Sequence, residues 1–357
     1  MARVVGIDPG TVSFDLCGLD GDRLILDRSI PTADLARDPG PLVRCLREAA
    51  PLDLVAGPSG YGLPLVRADA LTERDVRLAA LARRGDESGI LGFRRCLEAL
   101  RDAGCPVVFT PGAIHLPTVP AHRKVNRVDL GTADKVCAAA LAVWDQATRC
   151  GVEPVRTSFL LVELGGAFTA VLAVEGGRVV DGLGGSSGPL GYRAAGALDG
   201  EVAYLLGAMP KAALFTGGAA YVAGDPGLDP EALGGRVDER ARNARAAFVE
   251  GVAKAVAALR VAVPEPREVL LSGRLARVGW VREALEPVLA RVAPVREVRG
   301  FARVAKAAAQ GAALLADGLA GGRHRALVEA MAIEEASGTA LDHLYVEGAD
   351  RIRAEFA

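Results

Sequence analysis

Residues 4–8, 12–19 and 23–30 read as three apolar or β-branched strands joined by the tight turns Pro9-Gly10 and Asp20-Gly21-Asp22. The same strand–turn–strand–turn–strand order returns at 158–163, 169–174 and 178–182, joined by Gly165-Gly166 and Glu175-Gly-Gly177. Helices and further strands follow each copy. Such a unit buries a sheet against helices, so the internal repeat predicts two α/β bodies. The length of 357 residues fits about two domains of roughly 100–200 residues each. The repeat restarts after 152–157, which places the boundary there.

Between the copies, the periodicity predicts a helix over 42–50, a strand over 52–56 and helices near 73–83 and 89–103. A strand over 107–110 and a long helix over 130–148 follow. Pro58-Ser-Gly-Tyr-Gly-Leu-Pro64 reads as a loop. Beyond the second copy come a helix near 239–261, a strand at 269–272 and a helix at 278–290. An Ala-rich helix is predicted over 302–319, and two more within 322–357, parted by Ser337-Gly338.

Half of the residues are hydrophobic but only 4% are aromatic, so the cores must be packed from Ala, Val and Leu. The 42 basic and 44 acidic residues leave a net charge of −2. That gives no basic field for nucleic acid. No apolar run reaches the roughly 18 residues that suggest a membrane span. The opening MARVVGIDPG lacks the features of a secretory signal, so a cytoplasmic address is expected. The six Cys include no C-x-x-C pair, and zinc-ligand spacing is missing.

Three stretches carry chemistry. In Gly6-Ile-Asp8-Pro-Gly10-Thr11-Val-Ser13, a buried strand ends in a carboxylate, followed by a Gly turn and two hydroxyls. A turn of this kind can cradle phosphate on backbone N–H groups, and Asp8 would hold Mg²⁺. Leu161-Val-Glu163-Leu-Gly165-Gly166-Ala-Phe-Thr169 has the same construction at the same place in the second repeat. Together they suggest two phosphate loops, one per lobe. The third stretch, Glu268-Val-Leu-Leu-Ser272-Gly273-Arg274, runs from strand into Gly turn into helix, where an adenine ring could lie against backbone. Arg274 could stack on it or reach a phosphate. No G-x-x-x-x-G-K-[ST] or G-x-S-x-G run occurs, and no G-x-G-x-x-G follows the first strand.

These motifs, in this order, resemble the actin-like ATPase superfamily of sugar kinases, acetate and butyrate kinases, actin and heat-shock chaperones. Asp8-Pro-Gly-Thr-Val-Ser13 resembles its first phosphate motif, Glu163-Leu-Gly-Gly-Ala167 its second, and Leu271-Ser-Gly-Arg274 its adenosine motif. The small-residue helices 131–143 and 305–315 resemble its two connecting helices, which cross between lobes. Within the superfamily the chain is similar to proteins described as predicted butyrate kinases, through Asp134-Lys-Val-Cys-Ala138, Gly188-Pro189 with Gly196, and Thr216-Gly-Gly-Ala-Ala-Tyr221. It departs from acyl kinases in carrying Glu163 where they have His, and in lacking their arginine near 57–60. Arg193 lies about one position from a second family arginine.

The resemblance implies an α/β fold of two ribonuclease H-like lobes with a nucleotide cleft between them. The first would comprise 1–155 with 302–357, the second 156–301. ATP and Mg²⁺ would be bound by Asp8 as metal ligand, with Gly10, Thr11, Ser13, Gly165, Gly166, Thr169, Gly217, Gly218, Ser272, Gly273 and Arg274. The expected activity is phosphoryl transfer to a small carboxylate, which is already a nucleophile. A hydroxyl acceptor would want a base, for which Asp134 and Glu163 are the nearest candidates. Arg123, Lys124, Arg127 and Arg193 could stabilise the transferred charge. The acceptor is expected at Ser59, Gly60 and Tyr61. A nucleotide-dependent ATPase switch, with Glu163 positioning water, is the alternative. No membrane or nucleic-acid partner is expected, and a second copy of the chain is a candidate partner.

Overall fold

A computed structural model describes residues 2–10, 12–57, 60–85, 91–102 and 104–357. The chain divides into two compact units. One comprises Met1–Thr157, Gly176–Val180 and Arg299–Ala357; the other comprises Ser158–Glu175 and Asp181–Val298.

In the first unit the strands are Arg3–Pro9 (β1), Ser13–Asp20 (β2), Arg23–Pro31 (β3), Leu54–Gly57 (β4), Val66–Arg67 (β5) and Val107–Phe109 (β6). They order as β3-β2-β1-β4-β6-β5. The β1–β2 and β2–β3 pairs are antiparallel hairpins, whereas β4 joins β1 in parallel. Interior strands of such a sheet are covered on both faces, so Val4, Val5, Gly6, Ile7 and Asp8 are all buried in succession. On one face, Leu42 and Leu46 of the helix Gly40–Ala49 join Val5, Ile7, Leu16, Val55, Leu97, Leu100 and Phe109 in one core.

The other face of β1 is covered by the helix Ala307–Leu319, and that helix packs against Ala133–Cys150. Both contacts are backbone-close. A Cβ on Gly6 would fall on Ala313 N and Ala309 O. A Cβ on Gly311 would fall on the Cys137 carbonyl. Ala138, Ala139, Ala140, Ala308, Ala309, Ala312 and Ala313 are buried in the same layers, so the small residues read from the sequence are the packing surface. Both helices lie inside the first unit.

The Ala-rich helix starts at Ala307, not at 302 as the composition predicts. Its preceding N–H groups have other acceptors. Asp27 accepts from Arg303 N (2.9 Å), Val304 N (3.1 Å) and Ala305 N (2.7 Å), and Asp15 Oδ2 accepts from Lys306 N at 3.0 Å. Carboxylates from β2 and β3 thus replace the helix's own first turn. Burial works against the Asp27 charge, but the three N–H groups hold its carboxyl below the usual value.

The C-terminal helices are Arg325–Ala330 and Ala349–Glu355, with a 3₁₀ turn Ile333–Glu335, so the break is wider than Ser337-Gly338. Leu341, Leu344, Ala349 and Phe356 enter the first unit's core. Arg77 donates to Glu355 O at 2.6 Å and lies over the Phe356 ring. The short elements Thr32–Arg37, Val66–Arg67, Gly200–Leu206 and Pro230–Gly235 escape the sequence reading, being too brief to show a period.

The second unit repeats the plan with Ser158–Leu164 (β7), Thr169–Glu175 (β8), Arg178–Leu183 (β9, whose residues 178–180 count with the first unit), Glu268–Ser272 (β10) and Val295–Glu297 (β11), ordered β11-β10-β7-β8-β9. Again the first strand makes an antiparallel hairpin on one side and takes a later parallel strand on the other. Asp238 caps the helix Glu239–Leu259 by accepting from Ala241 N. Its Phe248 packs edge-on against Trp280 at 6.0 Å.

Two outcomes follow. Gly311→Ala should cost roughly 1–3 kcal/mol through overpacking, read as a lower denaturant midpoint. His115, buried in the first unit, has its pKa pushed down to about 4 by burial, with Lys124 adding to the fall. The unfolded chain therefore binds the extra proton first, and stability should fall as pH drops from about 6.5 towards 4. Chemical unfolding across that window should show His115→Gln with a shallower loss than wild type.

Candidate functional site

β1 ends in Asp8 because the strand is covered on both faces up to the point where the Pro9-Gly10 turn leaves the sheet. The carboxylate is 5% exposed, and among the described residues its Oδ1 has no hydrogen-bond partner. Burial chiefly pushes its pKa from 3.8 to about 7; Lys306 and Lys135 pull it down, while Asp134 and Asp15 raise it. A buried carboxylate with an unused oxygen is a site that a cation would relieve. Its hard oxygen donor suits Mg²⁺, which commonly takes one or two carboxylates and completes its shell with phosphate and water. No cluster of three or more His, Cys, Asp or Glu side chains exists among the described residues, so a metal here would need a ligand's own oxygens.

The turn itself is closed. Gly10 N–H donates to Ser13 O at 3.0 Å and to Asp8 O at 3.1 Å, so this N–H is spent within the hairpin. The Ser13 hydroxyl donates to Asp15 Oδ1 at 3.0 Å. Thr11 lies outside the described residues. Sequence reading missed Lys306. Its ammonium donates to Ser13 O at 3.1 Å and stands 3.4 Å from Asp15 Oδ2 and 3.9 Å from Asp8 Oδ2. A lone Lys ahead of an Ala-rich run carries no motif; only the packing of its helix on β1 brings it here.

Asp134 and Lys135 stand in the first turn of the helix Ala133–Cys150, near enough to Asp8 to bear on its charge. Asp134 accepts from the Thr132 hydroxyl and from Lys135 Nζ at 2.5 Å. Burial opposes its charge, but Lys135 and Thr132 outweigh it and hold the carboxyl below its ordinary value. It is a poor proton acceptor at neutral pH, which counts against the general-base role read from the sequence.

Of the acceptor residues, Ser59 lies outside the described residues. Gly60 O accepts from Ala133 N at 3.1 Å, which ties the loop to the Asp134 helix. Gly62 has φ +106°, and a Cβ there would fall on Gly112 N. Tyr61 N–H donates to Ala79 O. The 60–64 loop, the 110–115 loop and the helix start thus converge. Arg123 and Lys124 are engaged elsewhere: they donate to Val180 O at 2.8 Å and Leu116 O at 2.9 Å, and Lys124 is buried. Neither is presented to a transferring group.

In the second unit, Glu163, Gly165, Gly166 and Thr169 form the β7–β8 turn, and β10 runs parallel beside β7 with Ser272 opposite Glu163. Gly273 follows with φ +90°; a Cβ there would fall on Leu164 O and lie 2.6 Å from Glu163 Oε1. The two motifs therefore form one cradle. Thr169 Oγ1 and Ser272 Oγ are buried with no hydrogen-bond partner among the described residues. Arg193 N and Ala194 N both donate to Ala167 O, Gly218 N donates to Arg193 O, and Gly217 bridges to Ala194. This stacks the 191–194 and 217–218 loops on the same turn. The Arg193 and Arg274 side chains are exposed.

Residues 6–346 match the model of DUF1464, a family described as of unknown function, and the chain belongs to that family. No curated protein sequence matches it. Among solved structures, a propionate kinase from Francisella tularensis subsp. tularensis SCHU S4 is similar with a TM-score of 0.60 and 13% identity, over 87% of this chain and 99% of that one. Acetate kinase from Porphyromonas gingivalis has a TM-score of 0.56 and 14% identity, over 82% and 88%. Acetate kinase from Entamoeba histolytica has a TM-score of 0.56 and 11% identity, over 79% and 85%. At these identities the likeness is one of fold. The chain has the α/β, two-sheet fold of the acetate and propionate kinases, a phosphotransferase-type fold. No helix among the described residues is long and apolar enough to cross a membrane.

Asp8→Asn removes a buried charge while keeping the shape. We expect it to raise the melting temperature of metal-free protein at pH 8 and to abolish any stabilisation by Mg·ATP. Differential scanning calorimetry with and without Mg·ATP checks both.

Proposed function

We propose that the protein is an ATP- and Mg²⁺-dependent phosphotransferase whose acceptor is a small carboxylate, in the manner of an acyl kinase. The observation that carries this is Asp8: a buried carboxylate with an unused oxygen, at the end of the hairpin that opens a kinase-type fold. When bound, Mg²⁺ would neutralise phosphate charge and orient the terminal phosphoryl group. Asp8 would hold it. Taken by itself, the second unit has at its β7–β8 turn and its Ser272-Gly273 turn a backbone cradle and two unsatisfied hydroxyls of the kind a phosphate or nucleoside would use.

Two arguments favour a carboxylate acceptor. The names of the similar structures, acetate and propionate kinase, suggest it. The state of Asp134 agrees, since a hydroxyl acceptor would need a base and Lys135 and Thr132 hold this carboxyl below its ordinary value, which weakens its hold on a proton. A carboxylate attacks without losing a proton. The loop of Gly60 and Tyr61, tied to the Asp134 helix, is the place proposed for it.

Purified protein should convert Mg·ATP to ADP in the presence of acetate, propionate or butyrate, and hydroxylamine should trap the acyl phosphate as hydroxamate. ADP release that no carboxylate stimulates would assign the ATPase reading, with Glu163 positioning water. No ADP release under any of these conditions would refute both.

A further inference from the structure

We propose that Lys306 is a phosphate-binding residue: its ammonium is the cation that meets the polyphosphate of a nucleotide at the β1–β2 turn. This rests on reading that turn as a nucleotide-phosphate site. A phosphate cradle usually offers backbone N–H groups, but Gly10 N–H is already given to Ser13 O and Asp8 O. A phosphate here would also draw on a positive side chain, and residues 8–15 contain no Lys or Arg. Lys306 supplies it from another element. A methyl on Gly10 would lie 2.7 Å from its ammonium, so the lysine rests directly on the glycine of the turn.

The lysine is held at its base and partly exposed along its side chain. Its backbone N–H is bonded to Asp15, and Asp27 holds the three residues before it. The side chain is 36% exposed. Of its three donors, one reaches Ser13 O, while the carboxylates of Asp15 and Asp8 stand at 3.4 and 3.9 Å. A phosphate oxygen, charged and strongly accepting, would displace a carbonyl readily. Lys135, the other cation near Asp8, is paired with Asp134 at 2.5 Å and is not free to do this.

Lys306→Gln keeps an N–H donor for Ser13 O and removes the charge; Lys306→Met, which keeps the stem's bulk, is run beside it. Calorimetric titration of the full chain with ATP, ADP and adenosine, in Mg²⁺ and in EDTA, reads the result. ATP and ADP should bind about 10- to 100-fold more weakly in both media, with adenosine unchanged and a shallower salt dependence. Lys306→Arg should recover most of the loss. Unchanged ATP affinity in both uncharged variants overturns the proposal, as does an equal loss for adenosine. Wild-type protein that binds adenosine phosphates while the variants match it leaves the function standing and removes Lys306 alone. Wild-type protein that binds none removes both.

Discussion

In the first unit, the helix that covers β1 is packed backbone on backbone at both of its faces. The helix Ala307–Leu319 lies on β1 at Gly6 and against the Cys137 carbonyl at Gly311, and neither place has room for a methyl. This sets the depth of the layers to that of Ala and Gly and fixes the helices lengthwise. Their N-terminal ends then fall at the end of β1 where Asp8 stands. One end carries Lys306 and the other Asp134 and Lys135. The charged cluster is thus a consequence of apolar packing.

The cluster is costly without a ligand. Asp15 and Asp134 repel the charge of Asp8 while Lys306 and Lys135 attract it, and the balance leaves Asp8 Oδ1 without a hydrogen-bond partner among the described residues. Two other acids of the unit are better satisfied: Asp27 takes N–H groups from three residues and Asp15 takes two hydroxyls and an N–H, although Asp317 Oδ1 is, like Asp8 Oδ1, buried with no partner among the described residues.

The repeat was legible because tight turns between short apolar strands leave a local signature, and both hairpins lie where the sequence puts them. Asp8 and the paired Gly turns were legible for the same reason. Lys306 was not, because its place depends on tertiary packing from a helix almost three hundred residues away in sequence. The true start of that helix was hidden likewise: Ala-rich composition favours helix over 302–306, and the Asp27 and Asp15 carboxylates, contributed by β3 and β2, override it. Asp134 was legible as a candidate base, but its pairing with Lys135, which weakens its hold on a proton, follows from side-chain geometry that spacing does not encode.

The first unit is discontinuous in the chain: residues 158–298, apart from the short 176–180 return, belong to the other unit. During synthesis, β1 to β6 leave the ribosome with one sheet face bare, since the helix that covers β1 and the Leu341, Leu344 and Phe356 side chains of its core come last. The second unit, nearly continuous, can close first. Until residues 299–357 arrive, the early sheet is a hydrophobic surface awaiting its cover, so nascent chains stalled late in translation are the form of this protein most in need of a chaperone.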